Sequence, residues 1–374
     1  MTDKYARAAG WLTDKYIICM LLIFPLFVGF QGYADITLSK YLFFVITSTL
    51  WLISIIALAV LSGKSLRLRR WEAVALGFAL WATLSSMVSP NAAESLLGAS
   101  RYDGLVTILL YVGIFIGVSR FGAWRKRYAW FMAAALTGCC AVALFQLFGF
   151  SIFYPNGYTY YDGGVKYISK FLGTIGNTNL LAAYLCLGIP LLASSYVLSK
   201  RGGETLLAAA SLGVFIMVVS ESSGGTLALF VSALCAAFFF ARAGVLPRAF
   251  HALAVLMTGA AAAGLFVFEP AAALCAALAI WVLFFFGWLF DKKIRPGLHK
   301  RIIVLLIIAG IIILFFTAYY WQGSKGTMYE LSRLMHGEIR DEFGSSRICI
   351  WRQTLALVPE RLIFGGGPGT LALR

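Results

Sequence analysis

The chain has 374 residues, of which 61% are hydrophobic and only 13% are charged, whereas soluble domains average roughly 45–50% apolar and about 25% charged residues. A water-soluble core cannot bury that much apolar surface, and the mean hydropathy of +0.85 excludes a disordered chain, because disordered chains are poor in apolar residues. The net charge of +15 does not indicate nucleic acid, since the basic residues stand in short clusters between apolar runs rather than in one patch. The composition therefore predicts an all-α, polytopic transmembrane helical bundle with membrane lipids as partners.

Eleven apolar segments approach the length of about 20 residues that crosses the hydrocarbon core. Their approximate bounds are 16–34, 39–61, 71–88, 105–118, 129–150, 180–198, 205–220, 226–240, 252–268, 271–290 and 302–320. With the N-terminus inside, 20 of the 31 lysines and arginines fall in inside segments and four in short outside loops. Because loops rich in Lys and Arg stay in the cytoplasm, we expect a bundle at 1–320 with a cytoplasmic N-terminus, followed by an extracytoplasmic segment at 321–374.

Three of the predicted outside loops carry polar residues of interest. Arg101 is the one basic residue of its loop; it is either an anion contact at the membrane surface or a snorkelling arginine paired with Asp103. The loop 151–179 is rich in tyrosine and contains Lys170, so it fits either a sugar-stacking surface or an interfacial aromatic belt. Its end, GNTN at 176–179, predicts a helix N-cap. Glu221, between two apolar spans, is either functional or part of an ordinary exposed turn.

The segment 321–374 is longer than a connector between two spans needs to be. Apolar residues recur in it at helical spacing, namely Ile348, Trp351, Leu355, Val358 and Leu362. Ser345 and Ser346 are plausible N-caps and Pro359 limits the helix. The pattern predicts an amphipathic helix that lies on the membrane or packs over the bundle, followed by a glycine-rich turn at 365–369.

Several chemistries find no signature in the sequence. It contains no Walker A sequence, no HExxH and no nucleophile elbow. Two of its three histidines, His251 and His299, lie in predicted inside segments away from His336, so we expect no histidine metal site. No cofactor and no metal ion are therefore expected.

Four motifs, in chain order, carry a family resemblance: RYDGL at 101–105, GNTNLLAAY at 176–184, SRICIW at 346–351 and FGGGPG at 364–369. Together they resemble the O-antigen ligase and O-antigen polymerase superfamily. The resemblance implies a glycosyltransferase of the bacterial inner membrane that needs no nucleotide. It would move a glycan from an undecaprenyl-diphosphate carrier to a glycan, lipid or protein acceptor on the outer face, in surface polysaccharide assembly.

The same resemblance implies that arginines hold the diphosphate and that a histidine late in the outside loop is the general base. We expect Arg101, Arg347 and Arg352, with Lys170, to bind the diphosphate, because the guanidinium fork bonds phosphate in a bidentate way. The chain departs from the family pattern twice: it has Ser222-Ser223-Gly224 where Ser-Arg-Gly is frequent, and it ends at Arg374 before the family's histidine. We therefore expect a truncated chain that lacks its catalytic base. The alternatives are a lipid-linked glycan transporter or flippase, and an inactive fragment.

Overall fold

The computed structural model describes residues 3–30, 32–33, 35–63, 67–99, 101–150, 159–162, 165–168, 172–199, 202–267, 282, 285, 315–316, 319–320, 322 and 327–371. Its elements, in order, are α1 (Asp3–Ile18), a π-helical turn (Cys19–Ile23), α2 (Phe24–Leu26), α3 (Ile36–Leu61), α4 (Arg70–Val88), α5 (Ala92–Leu97), α6 (Leu105–Phe121), α7 (Arg127–Leu147), β1 (Thr159–Asp162), β2 (Val165–Ile168), α8 (Thr178–Val197), α9 (Glu204–Val219), α10 (Ser223–Ala243), α11 (Leu246–Val267), α12 (Thr327–Met335), α13 (Phe343–Leu357) and a 3-10 turn (Pro359–Arg361).

Six helical segments are long and apolar enough to cross a membrane, which confirms the helical membrane class. They are Lys4–Leu26, Ile36–Leu61, Arg70–Val88, Arg127–Leu147, Thr178–Val197 and Leu246–Leu265. Three shorter apolar helices, Leu105–Phe121, Glu204–Val219 and Gly224–Phe240, match further predicted spans. The predicted spans at 271–290 and 302–320 fall almost entirely outside the described residues.

The first predicted span, 16–34, is wrong in its bounds. The helix begins at Asp3 and ends at Leu26, after which Phe27 is extended. The early start is possible because Asp14 is buried with its charge matched: Tyr128 donates a 2.7 Å hydrogen bond to it, Arg125 lies 3.1 Å away, and Arg127 also pairs with it. A buried carboxylate is tolerated when it is paired in this way.

A second buried carboxylate, also unforeseen from the sequence, joins α4 to α6. Glu72, in the first turn of α4, is fully buried. Arg120, in the last turn of α6, donates to both its carboxylate oxygens at 2.7 and 2.5 Å, and the Arg69 N–H donates at 2.9 Å. A bidentate arginine–carboxylate pair stabilises the structure and also fixes the relative orientation of its two partners. This pair therefore fixes the position of the start of α4 relative to the end of α6.

The loop predicted at 151–179 contains a hairpin rather than irregular chain alone. β1 and β2 pair antiparallel, with Tyr160 opposite Tyr167 and Tyr161 opposite Lys166. Aromatic and β-branched residues favour strands, and TYYD and VKYI are rich in them. The sequence prediction missed the strands because it interpreted these tyrosines only as surface aromatic residues.

The chain divides into two compact units, each drawing on the predicted bundle and on the segment after residue 320. Unit 1 comprises 1–131, 151–169 and 354–374; unit 2 comprises 132–150 and 170–353. In unit 1, Tyr16 of α1 stacks on Trp51 of α3 at 4.2 Å, and a Cβ on Gly117 of α6 would lie 2.6 Å from the Trp51 ring. Small residues allow this close approach of membrane helices.

Unit 2 holds the larger core, where α8 and α9 pack against the part of α7 after residue 131 and α11 packs on α8 and α9. Its fully buried side chains include Leu136, Leu185, Leu207 and Ile216. Glycines again allow close contacts: a Cβ on Gly188 of α8 would lie 2.6 Å from Leu136, and one on Gly213 of α9 would lie 3.0 Å from Ile189. This packing holds the ends of α8 and α10, where the candidate site lies.

Candidate functional site

In unit 1, the glycine turn (residues 365–369) packs against α4, α5 and the RYDG loop (residues 98–104). Ser89, just after α4, donates a 2.6 Å hydrogen bond to the carbonyl of Gly366, 277 residues away in sequence. The Ala99 N–H donates to the carbonyl of Gly369 at 3.0 Å. Two of the sequence motifs therefore adjoin in the fold.

Close packing explains why glycine is needed in this turn. Gly367 has φ +94°, and a Cβ there would lie 2.8 Å from the hydroxyls of both Ser89 and Ser95. A Cβ on Gly369 would lie 2.7 Å from a carboxylate oxygen of Asp103. The backbone of the predicted glycine-rich turn therefore packs closely against the chain's own serines.

Arg101 lies in the RYDG loop next to a strained residue, Tyr102, whose conformation is held by packing and a hydrogen bond. Tyr102, the next residue, has φ +56°, a region that residues other than glycine enter only at a cost. Its ring stacks on Tyr41 of α3 at 4.5 Å, and Thr107 donates a 2.5 Å hydrogen bond to its carbonyl. Arg101 is exposed, and its predicted alternative pairing with Asp103 does not occur in the described part of the loop.

In unit 2, the GNTN motif begins α8 as predicted. The side-chain oxygen of Asn177 accepts hydrogen bonds from the backbone N–H groups of Asn179 at 2.9 Å and Leu180 at 3.2 Å, which confirms the N-cap. The turn before it is held by Gln146 of α7, whose side-chain oxygen accepts from the N–H groups of Leu172 and Gly173, both at 3.0 Å.

Sequence reasoning missed Gln146, although a signal was present. It is the one amide side chain inside the apolar run of α7, and polar groups inside membrane helices seldom lack a partner. It is 2% exposed, and next to it Cys139 and Thr174 share a 2.8 Å hydrogen bond. The core of unit 2 therefore anchors the turn that positions the start of α8.

The serine–glycine turn (residues 221–225) places the start of α10 beside the start of α8. Ser222 donates a 3.4 Å hydrogen bond to the side-chain oxygen of Asn179, and Cys186 donates at 3.1 Å to the carbonyl of Gly225. A Cβ on Gly225 would lie only 2.7 Å from the Cβ of Ala182. Glu221 is exposed with φ +53°, which favours the ordinary-turn interpretation of this residue.

Arg347 lies at the start of α10. A Cβ on Gly224, the second residue of α10, would be 3.6 Å from Nη1 of Arg347. The predicted N-caps Ser345 and Ser346 are wrong, because α13 already begins at Phe343; Arg347 is in the second turn of α13 rather than the first. The helix end that Arg347 faces is therefore that of α10, 123 residues earlier in the chain.

Three arginines near Arg347 in the sequence pair with carboxylates, whereas Arg347 pairs with no described carboxylate. Arg333 hydrogen-bonds Glu338 at 2.9 Å, which raises the pKa of its guanidinium; Arg340 pairs with the same glutamate at 3.2 Å. Arg352 lies 2.9 Å from Asp341. Arg347 itself is exposed and makes no ion pair with any described residue.

Of the four residues predicted to bind diphosphate, Arg347 lies beside the start of a helix and makes no ion pair with any described residue. Arg352 has a carboxylate partner, Arg101 belongs to the other unit, and Lys170 lies outside the described residues. Within the described ranges, no three His, Cys, Asp or Glu side chains cluster as a metal site would require. The chain matches no protein-family model, no curated protein and no solved structure.

Proposed function

We propose that this chain is a glycosyltransferase of the bacterial inner membrane, similar to O-antigen ligases. It would transfer a glycan from an undecaprenyl-diphosphate carrier to an acceptor on the extracytoplasmic face. The observation that carries the proposal is the position of Arg347, which makes no ion pair with any described residue, at the N-terminal end of α10.

Two positive groups meet at this point. The N-terminus of a helix carries unsatisfied N–H groups and roughly half a positive charge, and the guanidinium of Arg347 adds a full charge beside it. Such an arrangement is unfavourable on its own and becomes favourable when an anion binds both groups. A phosphate suits it well, because arginine bonds phosphate through two parallel hydrogen bonds.

A lipid diphosphate fits this site better than a free phosphate does, because the chain is embedded in the membrane. In the proposed reaction the acceptor hydroxyl attacks the anomeric carbon, the bond from that carbon to the diphosphate oxygen breaks, and the diphosphate leaves with the electron pair. Arg347 and the α10 N–H groups would stabilise the charge that develops on the leaving group, which is often a large catalytic contribution.

The acceptor's proton must pass to a base. His336, in the loop after α12, uses Nδ1 to hydrogen-bond the Ser332 carbonyl at 2.7 Å. Since a carbonyl only accepts, Nδ1 is the donor in this bond, and Nε2 is the ring nitrogen left to take up the acceptor's proton. If the chain shows turnover, we expect His336→Gln to abolish it; unchanged turnover would assign the base elsewhere.

We further propose eleven spans with the N-terminus in the cytoplasm, so that the starts of α8 and α10 face the outside. The support is the asymmetric distribution of basic residues. Cysteines at Gly63 and Ile339, in a cysteine-free background, should be labelled by an impermeant maleimide from the inside and the outside respectively. The reverse pattern would place the Arg347 site on the cytoplasmic face and refute the proposed reaction.

Binding of undecaprenyl diphosphate to the protein in lipid nanodiscs tests the site directly. Loss of a charged hydrogen bond costs roughly 1.5–3 kcal/mol, so Arg347→Ala should weaken binding about tenfold or more. Arg347→Lys should restore part of the affinity, because lysine keeps the charge but not the fork. Arg340→Ala, at an exposed arginine paired with Glu338, is the matched control and should bind normally. Equal affinity of Arg347→Ala and Arg340→Ala would remove Arg347 from the site.

Measuring diphosphate release from a lipid-linked glycan separates the function classes. A transferase releases the lipid diphosphate when acceptor is present. A transporter moves the intact donor across the bilayer without release, and an inert chain does neither.

A further inference from the structure

The C-terminal part of the chain runs alongside a membrane helix. The ring of Phe364 stacks on Trp81 of α4 at 5.3 Å and 17°. One residue later, a Cβ on Gly365 would lie 3.6 Å from the hydroxyl of Ser85, and after that Ser89 donates its hydrogen bond to Gly366. The chain from 364 to 366 therefore follows α4 toward its C-terminal end.

These contacts give a depth relative to α4. Trp81 precedes the last residue of α4, Val88, by seven positions, and a helix rises about 1.5 Å per residue, so Phe364 lies roughly 10 Å below the end of the helix. The α4 surface there is apolar and exposed, with Phe78, Leu80 and Met87 all more than half exposed. A candidate spanning helix presents such side chains to lipid.

The residues just before Phe364 are also large, apolar and uncovered. Leu355, Leu362 and Ile363 are 67%, 76% and 65% exposed. Exposure of this much apolar surface to water is unfavourable, by roughly 25 cal/mol per Å². Arg361 precedes Leu362, and an arginine beside apolar side chains can reach lipid phosphates while its neighbours enter the acyl region.

We propose that residues 355–364, which we name the apolar strap, are inserted into the leaflet at the C-terminal end of α4. The partner is thus the bilayer itself, at the boundary between headgroups and acyl chains. The stacking on Trp81 supplies the depth, the exposed leucines and isoleucine supply the apolar contact, and Arg361 supplies the headgroup contact. This inference does not depend on glycosyl transfer.

Photocrosslinking of the whole protein in nanodiscs of phosphatidylethanolamine and phosphatidylglycerol tests the strap. Benzoylphenylalanine replaces Leu362 in one variant and Ile363 in a second, so that one misfolded variant does not end the test. The control site is Ile339, which is 62% exposed but stands between Glu338 and Arg340, whose side chains pair with each other. Monodisperse elution in size exclusion chromatography qualifies each variant as folded.

We expect lipid adducts, detected by mass spectrometry, to be several-fold more abundant at 362 and 363 than at 339. Adduct levels equal to those at Ile339 would overturn the proposal by showing that the strap faces water. Crosslinks to a second copy of the chain or to another protein, in place of lipid, would also overturn it.

Discussion

Replacing Gly367 by alanine should detach the glycine turn from α4 and α5. Two costs add. The backbone at φ +94° is one that L side chains adopt only at about 1–3 kcal/mol. The new methyl would also lie 2.8 Å from the hydroxyls of Ser89 and Ser95 and 2.9 Å from the Cβ of Ser89, and such overpacking costs typically 1–3 kcal/mol.

The two terms together give about 2–6 kcal/mol against the docked turn. The Ala99 N–H, which donates to Gly369, reports on docking because it is released when the turn leaves. Since each 1.4 kcal/mol is a factor of ten, its hydrogen exchange should accelerate about 30-fold or more.

Gly365→Ala separates the two costs. Gly365 lies in the same turn with φ +70°, and a Cβ there would lie 3.6 Å from the Ser85 hydroxyl, so this variant carries the backbone strain without the overpacking. If Gly367→Ala and Gly365→Ala accelerate Ala99 exchange equally, the close packing on Ser89 and Ser95 contributes nothing and the reasoning fails.

The other predictions concern the packing that positions the Arg347 site. Gly225→Ala should lower the unfolding free energy by about 1–3 kcal/mol, because its Cβ would lie 2.7 Å from Ala182 and 2.8 Å from the Met217 sulfur. The measurement is the melting temperature in detergent. Gly77→Ala is the control and should not lower that temperature, because a Cβ at Gly77 meets nothing within 4 Å. Gln146→Leu should leave the N–H groups of Leu172 and Gly173 unsatisfied, at roughly 1–3 kcal/mol each, and speed their hydrogen exchange. Gln353→Leu, at an exposed glutamine of α13, should leave that exchange unchanged, and equal effects of the two variants would contradict the anchoring role of Gln146.

Local patterns determined much of the architecture. Apolar runs of sufficient length predict membrane helices because the bilayer core leaves backbone groups no partners outside a helix, and most of the described spans follow them. The N-cap at Asn177 was predictable because its bonds reach only two and three residues along the chain. The helix near 345–358 was predictable for the same reason, since helical spacing of apolar residues is a local property.

What the sequence could not determine depends on partners far away in the chain. Asp14 can lie inside the first helix because Arg125 and Arg127 pair with its carboxylate and Tyr128 donates a hydrogen bond to it. No local sequence pattern predicts those contacts. The glycine turn and Ser89 are 277 residues apart, and the turn's required φ and close contacts exist only once α4 and α5 are placed. Arg347 is likewise an ordinary basic residue in the sequence. Its position beside the start of α10 arises only from tertiary packing, and that position matters because the energy of a charge depends on what surrounds it.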